Sequence, residues 1–153
     1  MKKIQITEND ICKMVKSILT VLNENNYSNY IKPLTVLWLD DVREPEKYVK
    51  KTPKNVDGQF YKNITYYKNL SEKYKLNFVW VKTYNEFINY IKNNPLPDMV
   101  SFDHDLHDIK KGAACASWLK AYCEENGLKL PKCYAHSGNP CGRKQIRRIL
   151  GCE

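Results

Sequence analysis

The chain contains four short, continuous runs of apolar residues, and three of them end directly at chemically active side chains. The runs lie at 35–39, 78–81, 99–102 and 133–135. The first is followed by Asp40 and Asp41, the third by Asp103 and the fourth by His136. Apolar runs of this length without polar alternation predict strands that are buried on both faces of a parallel sheet.

Segments with helical spacing separate these runs. Thr83 is a favoured N-cap residue, and the apolar residues behind it recur every three or four positions. Further helices are predicted over 113–125 and 143–150, and Pro140 opens the second of these. Strands that alternate with helices favour a three-layer α/β fold, in which helices cover both faces of a parallel sheet of about four to five strands.

Two segments fall outside this alternation. Residues 7–24 carry apolar side chains at helical spacing behind Thr7, which predicts an extra N-terminal amphipathic helix that packs on the domain or binds a partner helix. We expect residues 1–33 to form this helix and a connector, and residues 34–153 to form the main domain. The stretch at about 44–77 is long for a connection and is expected to be an insertion near the site, either a lid or a tyrosine-bearing surface helix.

Composition limits the class of protein. A chain of 153 residues with 42% hydrophobic content can form one domain with a core. Its formal net charge of +8 favours polyanionic partners such as nucleotides or nucleic acid, although lysine also keeps surfaces soluble. The six cysteines form no CxxC pair that would indicate zinc, and no apolar run could span a membrane. We therefore expect a cytoplasmic protein with reduced thiols and no membrane partner.

The predicted strand ends bring together side chains suited to catalysis. In an open parallel sheet the carboxyl ends of the strands lie at one edge, where ligands bind. The candidates are Asp40, Asp41 and Arg43 after the first strand, Asp103, His104 and Asp105 after the third, and His136, Ser137 and Asn139 after the fourth. Grouping ionisable residues is costly unless they share a ligand, a metal or a proton. The alternatives are loop solvation for the aspartates and a hydrogen-bonded structural role for His136, while His107 and Asp108 are expected to be loop residues.

Three motifs of the chain resemble those of the cyclic-phosphate-processing receiver-like domain, a relative of two-component receiver domains. They are LWLDDVREP, SFDHDL and HSGNPCGRKQI, in this order. The resemblance covers about residues 34–150 and implies a receiver-like (flavodoxin-like) sheet. It matches Asp40 and Asp41 to an acidic pair that holds a divalent ion, and Asp103 to the end of the phosphoacceptor strand. His104 and the HSGN segment depart from an ordinary receiver, and no fifth strand with its lysine is evident.

The resemblance implies hydrolysis of cyclic phosphate bonds, which needs a base, an acid and positive charge on the nonbridging oxygens. We expect His104 and His136 to transfer protons, because the unperturbed pKa of histidine is about 6.5, with Asp103 as a third catalytic candidate. The expected phosphate ligands are Arg43, Ser137, Asn139, Gly142 and Arg143. The expected ligands of Mg²⁺ or Mn²⁺ are Asp40, Asp41, Asp103 and Asp105. A metal-free histidine pair is the alternative.

The substrate is open at this point. Cyclic phosphates at RNA ends, cyclic mononucleotides and cyclic oligonucleotide signals are all candidates, and the last would suit a phage that counters host defence. Three other functions compete with hydrolysis. They are a non-catalytic module that binds or sequesters nucleotides, a receiver that is phosphorylated on Asp103, and an RNA-binding protein that uses the lysines and tyrosines of 44–77.

Overall fold

A computed structural model describes residues 8–25, 32–51 and 58–152. The chain divides into two compact units, residues 1–32 and 33–153. The first unit contains helix α1, Glu8–Asn25, which confirms the predicted N-terminal helix, although its predicted cap Thr7 lies outside the described residues. The side chains of Ile11, Met14, Val15 and Ile18 on this helix are exposed.

The second unit is built on a parallel sheet. Its strands are β1 (Leu34–Leu39), β2 (Leu76–Val81), β3 (Met99–Phe102) and β4 (Lys132–Ala135), in the spatial order β2-β1-β3-β4. All pairings are parallel, and four strands are present in the part of the chain that the structure describes. The apolar runs therefore predicted the strands correctly. Residues of β1 are buried on both faces, as their unbroken apolar pattern requires.

Helices cover both faces of the sheet. They are α2 (Pro45–Lys50), α3 (Gly58–Ser71), α4 (Tyr84–Asn93), α5 (Gly112–Glu125) and α6 (Pro140–Leu150). Helices α2 and α3 pack around Trp38 on one face, whereas α4, α5 and α6 pack around Leu37 and Leu39 on the other. The predicted three-layer, receiver-like α/β fold is confirmed. None of the helices described is both long and apolar enough to cross a bilayer.

The stretch between β1 and β2 contributes to the core. Phe60, Ile64 and Tyr67 of α3 are fully or almost fully buried and belong to the same apolar cluster as Trp38. Tyr61 on the same helix is exposed. The described part of 44–77 therefore packs against one face of the sheet and connects β1 to β2. A role of this stretch as a lid stays a prediction.

Candidate active site

Asp40 is the centre of a hydrogen-bond network at the carboxyl edge of the sheet. It follows β1 and is fully buried. Its Oδ1 accepts the backbone N–H groups of Val42 and Arg43 at 3.0 and 2.7 Å. Its Oδ2 lies 2.7 Å from Arg43 Nε and 3.0 Å from His136 Nε2. Both oxygens of this buried carboxylate are thus satisfied, as burial of a charge demands.

Arg43 joins the ends of β1 and β3. Besides its bond to Asp40, its Nη2 lies 2.8 Å from Asp103 Oδ2. The guanidinium also lies 4.6 Å from the ring centre of Phe60, and the backbone carbonyl of Arg43 accepts the indole N–H of Trp38 at 3.0 Å. The side chain is 22% exposed. Arg43 is therefore fixed on several sides but is still open to solvent at the edge of the sheet.

His136 lies behind this network rather than on its surface. The ring is fully buried, stacks on Trp38 at 4.0 Å between centroids, and has its Nδ1 2.8 Å from Ser101 Oγ. A carboxylate only accepts, so Nε2 donates to Asp40, and in a neutral ring Nδ1 then accepts from the Ser101 hydroxyl. The predicted proton transfer by His136 remains a prediction. The geometry favours a positioning role, because both ring nitrogens are already occupied.

The charges of the buried pair follow from its surroundings. Burial lowers the pKa of His136, and the hydrogen bond and charge of Asp40 offset this only in part. For Asp40, burial raises the pKa, but the hydrogen bond from His136 and the hydrogen bond and charge of Arg43 outweigh it and lower the pKa overall. The state that results is an ionised Asp40 beside a neutral His136. The positive partner of Asp40 is thus Arg43.

This arrangement makes the fold sensitive to mild acid. Below the unfolded histidine pKa of about 6.5, the unfolded chain binds a proton at His136 that the folded chain resists. We expect the free energy of unfolding to fall with pH from about 6.5 downward, by up to about 1.4 kcal/mol per pH unit. The lowered pKa of Asp40 adds a further loss in stronger acid.

Urea denaturation at a series of pH values measures this effect. His136→Gln, which cannot take up the proton, should remove the slope between about pH 6.5 and 5. An identical slope in wild type and His136→Gln would show that another group is responsible.

Asp41 and His107 form a second pair that sequence reasoning missed. The backbone N–H of His107 donates to Asp41 Oδ2 at 2.9 Å, and the ring Nδ1 pairs with the same oxygen. The His107 side chain is 84% exposed, in contrast to buried His136. The prediction that His107 lies in a loop is confirmed, but that loop folds back on the end of β1. In the sequence, the one sign of this pair is that His107 lies two residues after the Asp103–Asp105 segment.

The side chains of His104 and Asp105 have neighbours outside the Asp40 network. β3 ends at Phe102, so these two residues lie in the loop that follows the strand. Asp105 Oδ1 instead accepts from Asn139 Nδ2 at 3.2 Å. The ring of His104 packs against Gly142, where an added Cβ would lie 2.2 Å from the ring. Its Nδ1 is buried and has no hydrogen-bond partner in the described structure.

The predicted phosphate ligands of the last loop make hydrogen bonds to one another, and Asn139 also bonds Asp105 of the loop after β3. Ser137 is fully buried, and its Oγ accepts the backbone N–H of Asn139 at 3.2 Å. Asn139 caps α6 by accepting the backbone N–H of Gly142 at 3.0 Å. Arg143 donates to the Ser137 carbonyl at 2.5 Å. These bonds fix the start of α6 at the same edge of the sheet, and phosphate binding by these residues stays a prediction.

Three carboxylates are close enough to share a divalent ion. One oxygen each of Asp40, Asp41 and Asp103 lies within 4.8 Å of the others, and among the residues described Asp105 does not join them. The same carboxylates already bind Arg43 and His107, so an ion would compete with these donors. Carboxylate oxygens are suitable ligands for Mg²⁺ or Mn²⁺. With Arg43 bonded to Asp40 and Asp103, however, the three carboxylates do not fit an ion as well.

One of three comparisons with known proteins identifies the family. No curated protein matches the chain. A matching solved structure, a fusion with a trimeric coiled coil from yeast, is 16% identical with a TM-score of 0.47. That match covers 78% of this chain and 64% of the other, less than two thirds of its length. The family model described as "Cyclic-phosphate processing Receiver domain" matches residues 35–151, so the chain belongs to this family.

Proposed function

We propose that this protein hydrolyses cyclic phosphate bonds in nucleotides or at RNA ends. The observation that carries the proposal is the guanidinium of Arg43, held between Asp40 and Asp103 at the carboxyl edge of the sheet and still 22% exposed. Family membership supplies the class of substrate, a cyclic phosphate. A guanidinium fixed in this way can bind the nonbridging oxygens of a phosphate without further ordering.

The start of α6 offers further support for an anion. The helix dipole favours an anion at a helix N-terminus, although at α6 Pro140 has no N–H and the Gly142 N–H donates to Asn139. Asn139 caps this end, and the loop before it is held by Ser137 and Arg143. The formal net charge of +8 would also attract a polyanionic substrate. In this proposal Arg43 contacts the phosphate, and the loop before α6 shapes the rest of the pocket.

His107 is the histidine best placed to move a proton to or from the substrate. Its ring is exposed, and Asp41 orients it through Nδ1, which leaves Nε2 for water or substrate. In hydrolysis the oxygen of water bonds to phosphorus and one ring P–O bond breaks. The water proton passes to the base, and the departing oxygen gains a proton to become a hydroxyl. The product is a phosphate monoester.

The buried residues act through Arg43 in this proposal. His136 and Ser101 fix the orientation of Asp40, and Asp40 in turn fixes Arg43. His136, Ser101 and Asp40 are positioning residues, because they are buried and do not touch solvent. Asp103 contacts Arg43 directly, and its backbone leads into the loop that carries His107.

Replacing His107 with alanine should separate catalysis from folding. We expect kcat to fall by about a hundredfold or more, which is typical for loss of a general acid or base. The free energy of unfolding should change by less than about 0.5 kcal/mol, because the side chain is exposed. Ile109→Ala, a change at an exposed position of the same loop, is the matched control and should leave kcat unchanged.

Turnover of a substrate panel tests the proposed function. The panel contains 2′,3′-cyclic mononucleotides, RNA with a 2′,3′-cyclic end, 3′,5′-cyclic nucleotides and cyclic oligonucleotides. We expect wild type to convert at least one of them to a monoester. Bound but unaltered nucleotide would support a sequestering module instead. If His107→Ala kept full activity and folded His136→Ala lost it, the proton-transfer role would belong to the buried His136 and not to His107.

A further inference from the structure

Both carboxylate oxygens of Asp40 and Asp103, and Oδ2 of Asp41, already have donors. Asp40 Oδ2 accepts from Arg43 Nε at 2.7 Å, and Asp103 Oδ2 accepts from Arg43 Nη2 at 2.8 Å. Asp103 Oδ1 accepts the backbone N–H of His104 at 2.8 Å, and Asp41 Oδ2 accepts that of His107 at 2.9 Å. A cation that entered the cluster would have to break several charge-assisted hydrogen bonds.

Arg43 is also hard to move. The backbone on either side of its Cα is tied down, with its N–H bonded to Asp40 and its carbonyl bonded to Trp38. The guanidinium lies over Phe60, so a released side chain would lose that contact as well. A guanidinium cannot lose its proton at ordinary pH, and its planar fork spans two carboxylates in a way that a point charge cannot.

We propose that Arg43 takes the place of the divalent ion in this site, so that guanidinium pairing and ion binding exclude one another. The carboxylates of Asp40, Asp41 and Asp103 are spaced closely enough to hold an ion. Arg43 occupies two of them and so blocks ion binding. Wild type should therefore bind Mg²⁺ and Mn²⁺ weakly. Removal of the Arg43 charge should open the site, because three carboxylates would then lack their cation.

A Mn²⁺ titration of the purified chain without substrate tests this. The variants are Arg43→Gln and, as a matched control, Arg143→Gln, which removes an arginine of the same edge that bonds Ser137 instead. We expect Arg43→Gln to bind Mn²⁺ at least about tenfold more tightly than wild type, since a hydrogen bond to a charged group is worth about 1.5 kcal/mol or more. Arg143→Gln should match wild type.

A double variant locates the ion. Adding Asp103→Asn to Arg43→Gln should remove the gain in affinity, because it takes away one of the three carboxylates. If Arg43→Gln does not fold, Arg43→Lys serves instead. Its ammonium cannot bridge both carboxylates, so a smaller gain is expected.

The proposal is overturned if wild type binds Mn²⁺ as tightly as Arg43→Gln, or if neither binds it at millimolar concentration. Because no turnover is measured, these outcomes are independent of whether the chain hydrolyses cyclic phosphates.

Discussion

Replacing Asp40 with alanine is expected to lower the free energy of unfolding by about 3–5 kcal/mol, the range seen when one partner of a buried ion pair is removed. The change leaves four donors without their acceptor: the backbone N–H groups of Val42 and Arg43, the guanidinium of Arg43, and the ring of His136. Urea denaturation at pH 7 measures the loss, and turnover should disappear with it because Arg43 is no longer fixed.

An exposed ion pair provides the control for Asp40→Ala. Glu46 and Lys50 of α2 lie 2.9 Å apart with both side chains largely exposed. Glu46→Ala should therefore cost less than about 1 kcal/mol. A loss in Asp40→Ala as small as that in Glu46→Ala would mean that the buried network does not hold the site together.

Gly112→Ala, at the start of α5, is expected to displace the backbone of Asp103 in the site. A Cβ at Gly112 would lie 1.8 Å from the backbone carbonyl oxygen of Asp103, so the chain must move. We expect a loss of about 3 kcal/mol in the free energy of unfolding, at the upper end of overpacking effects. The shift would displace Asp103 and His104, so kcat should fall as well.

Gly58→Ala is the matched control for that prediction. A Cβ at Gly58 meets no atom within 4 Å, and alanine is the better helix former. Its stability should equal or slightly exceed that of wild type. Equal stability of Gly112→Ala and Gly58→Ala would contradict the close approach of Gly112 to the Asp103 carbonyl.

The sheet could be predicted from the sequence because its strands bury both faces. The apolar runs before Asp40 and Asp103 do not alternate with polar residues, so they predict strands that are covered on both faces. These strands are β1 and β3, the two central strands of the sheet. The cap at Thr83 was predicted for a local reason too, and its Oγ1 accepts the backbone N–H of Glu86 at 3.2 Å. Parallel strands then place their carboxyl ends at one edge, which located the site.

The pairing of the site residues depends on loop conformation, which a local pattern does not encode. The loop after β3 turns His107 back towards Asp41 and turns Asp105 towards Asn139. Only the folded chain shows that His136 is enclosed by Trp38 and Ser101. A serine within the apolar run at 99–102 was the one hint of a buried polar partner.

Hydrolysis in water enriched in heavy oxygen tests the central claim most directly. Wild type is incubated with the panel of cyclic phosphates, and the products are analysed by phosphorus NMR and mass spectrometry. We expect a phosphate monoester that carries one heavy oxygen atom, and no such product with His107→Ala over the same time. Cyclic phosphates recovered intact from stoichiometric amounts of folded wild type would contradict the assignment of this site to hydrolysis.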